Sequence, residues 1–237
     1  MGNLWSADYS AARAYEHSGF STTILTTLTL PFTTPRGMSY DGANLWFTNN
    51  SQTIYKMVGK TSTIDSSYTE GVSYGGCSHD GVNVIVTAPG VTSDALLRYD
   101  GWLPPAAPNQ YLDNIASPST DPYGCTWDGL DLYSADFHTR YAYQHDEFST
   151  TILDYLDLLA IAQNLFDITW DGDNLIVTDN RSSGDRFIKF VGFSTTIDTT
   201  ITTPATNPTG VTWDDFIART SNAPSTGGVE SYFAFID

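Results

Sequence analysis

Hydrophobic and polar positions alternate along this chain in short runs that repeat. In one kind of run, Met38 with Tyr40, Cys125 with Trp127 and Ile168 with Trp170 fall on one face. Gly37 with Ser39, Gly124 with Thr126 and Gly210 with Thr212 fall on the other. That period of two predicts a strand, A, with one bulky and one small face. Asp-Gly follows at Asp41, Asp80, Asp128 and Asp171, a strong hairpin signal. A second strand, B, comes next, as in Asn44–Asn49 and Asn174–Asp179, and is apolar on both faces, as a strand between packed sheets should be. Strand C (Thr53–Lys56, Arg140–Tyr143, Phe187–Phe190) and strand D (Gly19–Ile24, Glu147–Ile152, Gly192–Ile197) complete the unit.

The aromatic position of strand A, filled by Tyr40, His79, Trp127, Trp170 and Trp213, recurs at intervals of 39, 48, 43 and 43 residues. A period near 40 with short strands marks stacked β-sheet repeats, above all propellers. Strands B and C are legible six times, strands A and D five times. The expectation is an all-β, single-domain, six-bladed β-propeller with mostly four-stranded antiparallel blades and incomplete terminal ones. Its repeats fall at about 2–35, 36–71, 72–122, 123–164, 165–208 and 209–237. Blade one lacks a strand A and blade six a strand D. Unpaired edges are normally covered or paired, so a neighbouring subunit or another virion-like partner is expected to supply one of the missing strands.

The order Gly-Val-Thr-Trp-Asp-Gly, Asn-Leu-x-Val-Thr-Asp, then Ile-Tyr-Lys resembles the repeats of NHL-type and gluconolactonase-type six-bladed propellers. The resemblance covers nearly the whole chain and speaks to architecture more than to function. The phrase Tyr15–Ile24 further resembles repeat proteins of tailed viruses, which implies a non-enzymatic, virion- or tail-associated role.

Charge narrows the classes. Asp and Glu number 27 against 10 Lys and Arg, a net charge of −17, which argues against nucleic-acid partners because nothing would neutralise phosphates. No apolar run reaches 18 residues, so no membrane insertion is expected. The chain enters repeat pattern at Asn3-Leu4-Trp5 without a signal-like leader, and the expected location is virion or extracellular.

Most conspicuous side chains belong to the repeat. Cys77 and Cys125 hold one register position in successive A strands. Under sixfold symmetry such positions lie about 7–9 Å apart, beyond the disulfide limit of about 7 Å, so buried free thiols are expected. His17 and His145 share a slot filled elsewhere by Met57 and Phe190, and His79 takes the tryptophan slot, so bulk is the requirement there. No spacing resembles a zinc site or a nucleophile elbow. The turn aspartates suit the hairpin, while Asp8, Asn49, Asp136 and Asp179 are expected to cap the B–C turns. No catalytic or metal residue and no cofactor is assigned. The alternative is a calcium-dependent, lactonase-like hydrolase, for which Glu70 is the one well-placed ligand.

Function is expected where the repeat fails. Residues 101–111 replace the strand D phrase with a proline-rich stretch holding Trp102, Leu103, Pro104 and Tyr111. Residues 153–161 bring Tyr155, Leu156, Leu158 and Leu159 where sister repeats are threonine-rich. Together they form a candidate interface with other protein subunits, self included. A surface glycan is the second partner class, as in a carbohydrate-binding lectin, although Trp5 and Trp46 are expected to pack between blades.

Overall fold

In a computed structural model, residues 2–90, 94–99, 111–181 and 184–215 are described. They form twenty strands in five four-stranded antiparallel sheets arranged as the blades of a propeller. Blade two runs β4 (Pro35–Tyr40), β5 (Leu45–Asn49), β6 (Thr53–Met57) and β7 (Ile64–Thr69). Blade three runs β8 (Cys77–His79), β9 (Val84–Ala88), β10 (Ala95–Tyr99) and β11 (Asp113–Ala116). Blade four is β12 (Pro122–Trp127), β13 (Leu132–Asp136), β14 (Tyr141–His145) and β15 (Ile152–Asp157). Blade five is β16 (Leu165–Trp170), β17 (Leu175–Asp179), β18 (Arg186–Phe190) and β19 (Ile197–Thr202). In each, the A strand is innermost and touches the A strands of neighbouring blades.

Blade one corrects the expected count of six. Its sheet is β20 (Pro208–Trp213), β1 (Leu4–Asp8), β2 (Arg13–His17) and β3 (Ile24–Thr29), so the last A strand completes the first repeat. Leu4 pairs with Trp213 and Ser6 with Val211. Repeats one and six of the expectation are therefore one blade among the described residues, and the five A and five D strands are the true tally. No neighbouring subunit is needed to supply the missing strand. The further B and C copies read at Phe216 and Tyr232 lie outside the described residues.

The closure reuses the chemistry of the ordinary hairpin. In blade two, Asp41 Oδ1 accepts the amides of Ala43 (2.8 Å) and Asn44 (2.6 Å), and its Oδ2 accepts Trp46 Nε1 (2.8 Å). In blade one the chain is broken at that turn, yet Asp214 accepts the amide of Asn3 (2.5 Å) and Trp5 Nε1 (3.0 Å) at the equivalent places. Lys60 of blade two adds an ion pair to Asp214 at 2.6 Å. Asp80, Asp128 and Asp171 make the same two backbone contacts as Asp41 in their own turns. The turn aspartates are structural, as expected.

The small face of strand A lets inner strands approach backbone to backbone. A Cβ built on Gly37 would lie 2.4 Å from the Cα of Gly76, and one on Gly124 would lie 2.8 Å from the Cα of Asp167. Those neighbours are main chain and cannot swing away. Gly124→Ala is therefore expected to lower stability by about 1–3 kcal/mol, read as a lower midpoint in urea unfolding. Between the blades, Trp5, Trp46, Phe47 and Phe187 are fully buried, and both cysteines are buried and free, as the sequence reading expects.

Candidate functional site

The histidine slot is more specific than bulk. His17 Nδ1 donates to the carbonyl of Ser21 (2.8 Å), leaving Nε2 to accept from the hydroxyl of Ser6 (3.0 Å). His145 repeats this with Ser149 (2.9 Å) and Ser134 (2.8 Å). Where strand B carries Phe47 or Val177 instead of serine, strand C carries Met57 or Phe190. The serine–histidine pairs are thus polar substitutes for an apolar contact. Burial holds both imidazoles below the usual histidine range, despite the backbone bonds that pull the other way.

Glu70, the candidate calcium ligand, lies inside the protein. Its Oε2 accepts hydrogen bonds from Tyr74 (2.7 Å) and Tyr99, and the two hydroxyls are 3.1 Å apart. Burial, with help from the adjacent carboxylate, pushes both phenols well above their ordinary range. Among the described residues no three His, Cys, Asp or Glu side chains are grouped as metal ligands.

The axis holds a carboxylate that the repeat pattern does not predict. Asp167 occupies the slot of β16 where the other full-length A strands have Gly37, Gly124 and Gly210. It is fully buried. Its oxygens accept the amides of Val211 (3.0 Å), Met38 (3.3 Å) and its own neighbour Ile168 (3.0 Å), and that of Cys125 as well. These four residues share one register position in four different A strands. Their N–H groups lie on the inner edges of the sheets, where no further strand can pair them. One side chain satisfies four blades at once. Burial drives its carboxyl well above the usual range, and the backbone donors draw it back. The signal was available: a single Asp in a column of glycines.

A cleft of about 440 Å³ opens between blades three and four, on the face of the A–B turns. It is lined by Asp80, Asn83, Arg98, Trp127, Glu147 and Phe148, with Val82, Gly129 and Leu130 at its rim. At one strand B position Trp46 is tilted against His79 at 5.8 Å, and Tyr133 stacks on Trp170 at 5.2 Å. Blade three has Ile85 there, in the same cluster as Trp127, and blade five has Ile176, in the same cluster as Trp213.

Two residues of the cleft break local rules. Glu147 sits in the C–D turn with φ +53°, where sister repeats place Gly19, Gly59 and Gly192 at φ +57°, +61° and +60°. A side chain in that left-handed conformation costs about 1–2 kcal/mol, so the fold itself prefers glycine. Arg98 lies over the Phe148 ring at 4.5 Å and pairs with Asp113 at 3.4 Å. Its Nε is buried and, among the described residues, has no hydrogen-bond acceptor. Neither residue was singled out from the sequence as a ligand-binding group.

The expected interface divides. Trp102, Leu103 and Pro104 lie outside the described residues. Tyr111, Tyr155 and Leu159 are exposed, at 37%, 59% and 55%. Leu156 and Leu158 are buried and correct that expectation: Leu156 pairs across from Ala142, and both join the core packed between blades four and five. Leu153, exposed beside Tyr155, completes an outer-edge patch with Tyr141, whose ring meets that of Tyr155 at 5.8 Å.

No family model matches the sequence, and no curated protein does. Solved structures do. A chain of a nidogen/laminin complex matches with TM-score 0.62 at 15% identity, over 92% of this chain and 99% of its own. A protein of unknown function from Bacteroides caccae matches with TM-score 0.57 at 10% identity, over 90% of this chain and 98% of its own. The glutaminyl cyclase of Myxococcus xanthus matches with TM-score 0.55 at 11% identity, over 75% of this chain and 69% of its own. At such identities the likeness is one of fold. The class defined by fold and closure is a β-propeller, five-bladed over the described residues, closed by pairing its first and last described strands.

Proposed function

We propose that this chain is a non-enzymatic binding propeller of a virion or other extracellular assembly, and that the cleft between blades three and four takes a neutral sugar of a surface glycan. The observation that carries this reading is Glu147, a residue kept in a strained backbone position that glycine fills in sister turns, at the wall of the cleft between blades three and four. The chemistry of the lining fits a saccharide. Trp127 and Phe148 supply apolar ring surface, and Asp80, Asn83, Glu147 and Arg98 supply acceptors and donors for hydroxyl groups. Two carboxylates in the lining, Asp80 and Glu147, against one cation, Arg98, favour a neutral ligand over an acidic one. The virion or extracellular setting rests on the repeat phrase at Tyr15–Ile24.

The test is a glycan array followed by calorimetry with the best-retained neutral oligosaccharide. Trp127→Ala is expected to abolish retention. Glu147→Gly is expected to weaken binding at least about tenfold while raising stability by about 0.5 kcal/mol, because relief of the left-handed strain outweighs the added chain entropy. Glycan binding that survives Trp127→Ala unchanged, or an array on which the wild type retains nothing, would sink the reading.

A further inference from the structure

On the opposite face, between blades four and five, a second recess of about 210 Å³ is lined by Arg140, Arg181 and the segment Leu159–Gln163. We infer that it is a binding site for a phosphate or sulfate group, with Arg140 as its principal ligand. Arginines are scarce in a chain of net charge −17, yet three converge here. Two of them are tied down. Arg181 Nε and Arg186 Nε reach the same oxygen of Asp179, at 2.5 and 3.0 Å, and their Nη2 atoms reach the carbonyl of Ile161 at 2.5 and 2.7 Å.

Arg140 is not tied in this way. Its Nε is buried and lacks an acceptor among the described residues, and no described carboxylate forms an ion pair with it. A buried guanidinium N–H without a partner carries a desolvation cost that an incoming oxyanion removes.

The fold does not require arginine at this position. Residue 140 ends the B–C turn with φ +61°, and the equivalent Ala12, Gln52 and Asp94 have φ +51°, +63° and +33°. The turn uses the backbone and leaves the side chain free to vary. The acidic neighbours are already engaged: Asp179 by both arginines and the amide of Gln163, Asp185 by the amide of Arg181, and Asp157 by the amide of Leu159. The planar fork of Arg140, with Arg181 on the facing wall, suits a tetrahedral oxyanion.

Calorimetric titration of the intact chain with inorganic phosphate and, separately, inorganic sulfate at low ionic strength tests the site. Saturable binding with Kd of about a millimolar is expected. Arg140→Gln reproduces the residue of the blade-two turn and so keeps the fold; it is expected to weaken binding at least about tenfold. Trp127→Ala, in the cleft of the opposite face, is expected to leave anion binding unchanged, so the two sites fail independently. Tighter binding of one anion identifies the ester class. An absence of saturable binding to either anion, or equal binding by Arg140→Gln, would overturn the assignment.

Discussion

Replacing Asp167 by alanine is expected to lower the stability of the folded chain by about 3–5 kcal/mol. Buried ionisable groups are often replaceable by apolar ones, but only when their partners can be replaced with them. Here the partners are main-chain N–H groups of Met38, Cys125, Ile168 and Val211, and no mutation removes those. Each buried N–H left without an acceptor costs about 1–3 kcal/mol, and water entering the vacated space recovers part of that sum. Chemical denaturation checks the figure. An Asp167→Ala variant within about 1 kcal/mol of wild type would show that the axial carboxylate holds nothing together.

The same residue gives a pH signature. Its folded carboxyl lies well above the usual range, so the folded state binds the proton more tightly than the unfolded chain does. The stability this contributes is full below the unfolded value and is lost as pH rises through the folded one. His17 and His145 act in the opposite sense. Their folded values are lowered, so their contribution is present above the ordinary histidine value and lost as pH falls through the folded one. Comparison with Asp167→Asn cancels the histidines. Wild-type stability relative to that variant is expected to fall as pH rises from about 4 to 8. A flat difference would contradict the axial titration.

Truncation after Thr203 is expected to abolish cooperative folding, whereas truncation after Asp215 is expected to leave it intact. The first removes β20, and with it the inner strand of blade one, the buried Val211, one donor to Asp167 and the Asp214 clasp on Asn3 and Trp5. A ring opened at one blade exposes the edge of β1 and the apolar faces on either side of the gap. Domains of this size are stable by only about 5–15 kcal/mol, and the loss exceeds that margin. The second truncation keeps all twenty described strands. Thermal melts with size-exclusion chromatography separate the outcomes. Loss of folding in the longer variant would restore a structural role for residues 216–237 of the kind a sixth blade implies.

Local pattern revealed the repeat but not how it closes. Alternation in strand A, the Asp-Gly turns and the doubly apolar strand B follow from side-chain geometry and turn chemistry, which act over a few residues. They made the all-β class, the strand order within a blade, the structural role of the turn aspartates and the packing of both cysteines legible. The same logic miscounted the blades. Counting each repeat as one blade gives six, while Asp214 binding Asn3 and Trp5 joins residues more than 200 positions apart.

The candidate sites divide along the same line. Tyr155 and Leu159 are visible as apolar departures from a polar repeat and are exposed, yet Leu156 and Leu158, equally conspicuous, turn inward to the core. Glu147 and Arg140 stand in turn positions whose left-handed backbone is known only from the fold.

The sequence by itself determined that this chain builds antiparallel four-stranded units from a period near 40 residues, because that information resides in short-range alternation and turns. Only the tertiary structure decided that there are five blades among the described residues, that one aspartate serves four of them, and where clefts open between neighbours. Those outcomes depend on which distant edges meet when the ring closes. Closure is a property of the whole circle, and no single repeat contains it.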